Sequence, residues 1–266
     1  MEWGFLLAGL FVGIMVGMTG VGGGSLMTPI LIFIFHVQPA IAVGTDLLFA
    51  AITKAGGIWS YWRHGVVKWH IVWRLAAGSI PATLATLWFM NATGMHDGNH
   101  NEIITKALGV ALILTSSALL LKAPLGRLLR SQESHPVVSA LYDIRENELN
   151  KAMITVITGA LLGVMVTLSS VGAGALGAVI LLFLYPRLKG VEIVATDIAH
   201  AVPLTFVAGL GHSAVGTVDW SLLMYLLAGS LPGIFIGTHL GVRISDHIMR
   251  PLLAVILVLV GIKCLI

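Results

Sequence analysis

GVGGGS, at Gly20 to Ser25, interrupts an apolar stretch that runs from about residue 4 to 35, and SVGAGA, at Ser170 to Ala175, interrupts a second from about 153 to 184. Hydrocarbon offers the backbone no hydrogen-bonding partner. Chain that leaves the helix at membrane depth therefore persists only where protein or a polar cavity surrounds it. Glycine-interrupted apolar segments in matching places of two halves of one chain are the mark of a carrier whose substrate site is built from broken helices.

The composition agrees with that reading. Of 266 residues, 57% are hydrophobic and only 10% charged, and the mean hydropathy is +0.96. This is too little polar surface to solvate a domain of this size in water, so an all-α integral membrane protein is expected. Further apolar runs cover roughly 39 to 60, 70 to 90, 103 to 121, 191 to 210, 220 to 240 and 250 to 266, most of them near the ~20 residues that a spanning helix needs. Met1-Glu2-Trp3 lacks the basic start of a cleavable signal, so the first apolar stretch is expected to be retained. The single cysteine, Cys264, excludes an intrachain disulfide and any cysteine cluster for a metal or iron–sulfur group. No basic run interleaved with aromatics suggests a nucleic-acid partner, and no G-x-x-x-x-G-K-[ST] motif suggests ATP hydrolysis. His96 and His100 in HDGNH read as a solvated loop, and neither a metal nor a cofactor is expected.

The two breaks belong to an internal duplication. At an offset of 150, Gly9, Gly13, Met15, Val16, Val21, Gly22 and Gly24 match Gly159, Gly163, Met165, Val166, Val171, Gly172 and Gly174. One inserted residue then shifts the offset to 151, where VGTD at Val43 to Asp46 meets VATD at Val194 to Asp197, and AGSIP at Ala77 to Pro81 meets AGSLP at Ala228 to Pro232. If each interrupted stretch folds as a hairpin that enters and leaves on one side, twelve Lys and Arg fall on the loops near 61–74, 122–151, 185–190 and 241–250, against Lys106 and Lys263 opposite. If each crosses once, the split is nine to five. The positive-inside bias favours hairpins. The expected architecture is two inverted repeats, each a broken helical hairpin plus three transmembrane helices. Residues 1–121 form the first, 152–266 the second, and 122–151 a cytoplasmic linker whose part from Pro136 to Asn150 reads as a tether or a short surface helix.

Each hairpin, with arms of ~15 residues rising about 22 Å, brings its tip to membrane depth. Free N–H groups and the positive end of the second arm would then face the protein centre from both halves and make an anion site of Gly22, Gly23, Gly24 and Ser25 with Gly172, Ala173, Gly174 and Ala175. Gly9, Gly13 and Gly17 are expected to pack helices. Inside the spans lie Asp46, Lys54, Asp197 and His200, and ionisable groups at such positions are functional by default. Lys54 is expected to neutralise a transported anion or to pair with Asp197. Asp46, Asp197 and His200 are candidate proton carriers, with a structural ion pair and a carbonyl-bonded histidine as the competing readings. His212 ends the same helix as His200 and reads as a cap. An anion channel shares this chemistry. An intramembrane enzyme using Ser25 or Ser170 with His200 or His212 is the weaker alternative, because no base lies near either serine in sequence.

GVGGGS followed by Pro29, GTDL at Gly44 to Leu47, Thr53-Lys54-Ala55-Gly56, and TDIAHAVPLTFVAGLGH at Thr196 to His212 together resemble the TauE/SafE-type sulfite-exporter family of membrane permeases. The resemblance covers both halves. It implies a multi-pass secondary permease of the inner membrane that moves sulfite, thiosulfate, sulfonates or similar small organosulfur anions, usually outward, driven by protons. Membrane lipid is the surrounding partner, and a homodimer is compatible with this reading. The second break, SVGAGA with Thr167 where the first half has Gly17, makes the two tips inequivalent.

Overall fold

The computed structural model of the chain describes the backbone of residues 2–19, 24–94, 101–131, 148–241 and 246–266, and these residues contain helices and no strand. The first half holds α1 (Glu2–Thr19), α2 (Gly24–Phe33), α3 (Pro39–Arg63), α4 (Trp69–Ala92) and α5 (Asn101–Ser131). The second repeats the order with α6 (Glu148–Ser169), α7 (Ala175–Leu184), α8 (Gly190–Ala214), α9 (Trp220–Gly241) and α10 (Asp246–Leu265). Local chemistry sets several starts. Pro39 opens α3 at the position where a missing N–H costs nothing. Asp219 caps α9 by accepting the Leu222 N–H at 2.9 Å. Glu192, in the first turn of α8, takes the Lys189 N–H at 2.8 Å and the Lys68 ammonium at 2.8 Å, a placement the helix dipole favours.

Both glycine breaks divide hairpins. The Phe5 and Phe35 rings lie 4.8 Å apart, so the chain beyond α2 has returned to the level where α1 begins. Tyr185, just past α7, hydrogen-bonds Thr155 of α6 at 2.9 Å, and Lys151 sits 5.4 Å from its ring. The arms are unequal, 18 and 10 residues in one hairpin and 22 and 10 in the other, in place of two arms of similar length. The reason is local: each break opens near the midpoint of its apolar stretch, but the first arm begins ahead of the stretch and the second only after the glycines.

The halves pack by exchange. α1 runs parallel to α9, with Gly9 and Gly13 against the carbonyls of Leu226 and Ser230, and α6 runs parallel to α4, with Gly159 and Gly163 against those of Leu75 and Ser79. A Cβ at any of these glycines would collide with the facing oxygen, which is how small residues let membrane helices approach. The equivalent helices α3 and α8 pack antiparallel. At one end Thr45 accepts the Asp219 N–H at 3.0 Å, and at the other Thr196 accepts the Lys68 N–H at 3.1 Å. α5 and α10 also cross antiparallel, Gly109 on Gly261, with Ser116 donating to the Ala254 carbonyl at 2.8 Å. α5 continues ten residues past Leu121, into the segment read as linker. Residues 132–147 lie outside the described ones, and with them most of the proposed surface helix, as does the HDGNH loop.

Polarity is inside out. Trp73, Trp88 and Phe235 are largely exposed, whereas Asp46, Lys54, Asp197 and His200 are buried. Among the described residues, five segments are long and apolar enough to cross a membrane: α3, Glu102–Leu121 of α5, α6, α8 and Trp220–Gly237 of α9. The chain is an all-α membrane protein.

Candidate functional site

The second break is the better-defined wall of the polar centre. α6 ends at Ser169, whose hydroxyl donates back to the Met165 carbonyl at 2.6 Å and receives the Val171 N–H at 3.2 Å. The chain then turns through Ser170 at φ +57°, Gly172 at +116° and Gly174 at +140°. The last two conformations suit residues without a Cβ. Gly174 precedes α7 without a side-chain cap, and the first turn closes only with long bonds, Gly177 N–H to Gly172 O at 3.4 Å and Ala178 N–H to Gly174 O at 3.3 Å. The N–H groups from Gly172 through Leu176 meet no acceptor among the described residues. Gly172, Ala173, Gly174 and Ala175 lie at the start of α7, where the sequence expects a donor array. In the first break, Gly22 and Gly23 lie outside the described residues, and Gly24 and Ser25 open α2.

Helix α3 grips this second tip. Lys54, only 7% exposed, donates to the Ala173 carbonyl at 2.7 Å. Eight residues earlier, about 12 Å along the helix, Asp46 is fully buried and accepts the Thr28 hydroxyl of α2 at 2.5 Å through Oδ2. Ser170 approaches the same carboxylate. From α8, Asp197 lays its Oδ1 directly on Gly177 of α7, where a Cβ would displace it. Lys54 stands within electrostatic reach of both Asp197 and Asp46. One turn beyond Asp197, His200 holds Ser79 of α4 through Nε2 at 2.9 Å and lies within reach of Lys54.

Lys54, Asp46, Asp197 and His200 are therefore brought together, with one difference from expectation: the hydrogen-bond acceptor shown for Lys54 is a tip carbonyl. Here His200 Nδ1 finds no hydrogen-bond partner among the described residues, and Ser170 Oγ approaches the Asp46 carboxylate without reaching hydrogen-bond geometry. Burying such groups unsatisfied is costly. Thr28, Ser79 and Gly177 complete the centre and were not singled out from sequence. Thr28 adjoins Pro29, and Ser79 lies in the duplicated AGSIP string, which is the signal that was available.

His212 stands apart. Its Nε2 donates to the Thr167 carbonyl at 3.0 Å, tying the end of α8 to the end of α6, and its Nδ1 lies 2.8 Å from the Thr217 hydroxyl in the turn just past α8. Neither hydrogen-bonds Ser170, and His200 is held by Ser79, so no serine–histidine couple forms at the described break.

A family model described as sulfite exporter TauE/SafE matches residues 5–264. The chain belongs to the TauE/SafE sulfite exporter family. Among its relatives, the "Probable membrane transporter protein YjnA" of Bacillus subtilis is 38% identical over 99% of both chains. The "Probable membrane transporter protein YdhB" of the same organism is 26% identical over 87% of both. The "Probable membrane transporter protein MJ0441" of Methanocaldococcus jannaschii is 28% identical over 96% of this chain and 92% of its own. No solved structure matches the chain. As a member of the TauE/SafE family the chain is a multi-pass membrane transporter and not an enzyme.

Proposed function

We propose that this transporter exports sulfite, or a similar small organosulfur anion such as thiosulfate or a sulfonate, across the inner membrane with coupling to protons. The observation that carries this reading is the buried polar cluster of Lys54, Asp46, Ser170, Asp197 and His200, next to the N–H groups at the start of α7. A bound oxyanion meets those N–H groups and the donors that Lys54 does not spend on Ala173. Charge explains the proton. Lys54 with Asp46 and Asp197 sums to one net negative charge when all three are ionised, and a buried anion added to that is repelled. Protonating a carboxylate removes the repulsion, so anion binding is coupled to proton uptake at the centre, and His200 beside Asp197 serves as a relay.

The two halves act as inverted repeats that rock about the centre and expose it to one side at a time. Antiparallel packing of α3 on α8 and of α5 on α10, the equivalent helices of the two halves, supports the inversion. The Lys and Arg bias supports a cytoplasmic position for the 122–151 linker. Radiolabelled sulfite counterflow in proteoliposomes tests the reading. Saturable exchange that accelerates under an imposed pH gradient is expected. Flux that neither saturates nor responds to the gradient would leave a pore, and proton coupling would be withdrawn.

A further inference from the structure

Away from the polar centre, a cavity of about 510 Å³ opens between α1, α2 and α10. Its walls are hydrocarbon and aromatic, including Leu7 and Phe11 of α1, Pro29 and Phe33 of α2, and Ile256 of α10. At one end stands a single charged lining residue, Lys263, in the last turn of α10. Its ammonium lies 4.7 Å from the centroid of the Phe33 ring.

The duplication does not require this groove. In the other half the corresponding short arm, α7, packs along α5, whereas α2 touches α10 at only a few residues. The exposed apolar surface around the groove is the lipid-facing surface of the molecule. Packed interiors do not hold apolar voids of this size, so in a bilayer hydrocarbon fills the groove. Lys263 supplies the polar end: a lysine in the last turn of a spanning helix lies at the level of the headgroups, where it attracts phosphate.

We infer that the α1–α2–α10 groove binds one acyl chain of an anionic phospholipid whose phosphate pairs with Lys263. The site differs from the transport site but shares a helix with it, since α2 also carries Thr28, the donor to Asp46.

Native mass spectrometry of the purified full chain, after mild delipidation and addition of phosphatidylglycerol or phosphatidylcholine, tests the inference. The natural chain is expected to retain one phosphatidylglycerol at least tenfold more than phosphatidylcholine. Lys263→Ala should lose that preference, and Ala8→Trp, which fills the groove from α1, should lose retention of both. Lys106→Ala, at a lysine already paired with Glu102, should behave as the natural chain. Equal retention of the two lipids by the natural chain, an unchanged preference in Lys263→Ala, or a lipid-free dimer that Ala8→Trp breaks would overturn it. The Lys263→Ala arm decides the matter even if Ala8→Trp fails to insert. Because binding is read without transport, failure here is distinguishable from failure of the sulfite reading.

Discussion

Asp197 rests on Gly177 so closely that no other residue fits between them. Alanine at 177 would favour the helix by roughly 0.5–1 kcal/mol, while its Cβ would have to push the Asp197 carboxylate aside. The transport role predicts a displaced carboxylate. Gly177→Ala is expected to insert normally and to lose about tenfold in sulfite flux, a barrier increase of about 1.4 kcal/mol; flux equal to the natural chain would remove Asp197 from the mechanism. Asp46, Lys54, Asp197 and His200 were legible in the sequence because charge inside an apolar span has no bland explanation. Thr28 and Ser79 were not, since a hydroxyl in a membrane helix more often bonds its own backbone, as Thr205 does to the Ala201 carbonyl at 2.8 Å. The hydrogen bond from Lys54 to Ala173 was also out of reach, because every residue has a carbonyl and only the fold selects one.

Among the helices, the glycine breaks announced both hairpins, and the i, i+4 glycines announced close packing. What they did not reveal was that Gly9 and Gly13 pack against the opposite half, because a glycine marks a close approach without naming what approaches. The short arms differ in a way the near-equal sequences do not disclose: α7 is seated on α5, and α2 stands off α10. If the halves exchange conformations during transport, α2 moves onto α10 and closes the groove. Ile30→Cys with Leu257→Cys, on a background where Cys264 is replaced by alanine, is expected to cross-link more efficiently when sulfite and a pH gradient drive turnover than without substrate. A yield independent of turnover would show that α2 does not move in this way.

For the molecule as a whole, the duplication, the membrane class and the family could all be read from the chain, since they rest on repeated strings and on composition summed over hundreds of residues. The extent of α5 could not: it runs to Ser131 through a charged stretch that carries no membrane signal. Inversion makes a plain topological prediction. Single cysteines at His36 and at Pro186 should react with an impermeant thiol reagent from opposite sides of the membrane, and labelling of both from one side would contradict the inverted arrangement. The central claim is that a buried lysine, held at the tip of a broken helix, receives the transported anion. Removing a buried charge from its partners typically costs several kcal/mol, so Lys54→Met should abolish function while leaving the lipid-facing surface intact. The direct measurement is radiolabelled sulfite counterflow in proteoliposomes containing matched amounts of the natural chain and Lys54→Met. The account predicts saturable counterflow in the first and none above the protein-free background in the second; undiminished counterflow in Lys54→Met would contradict it.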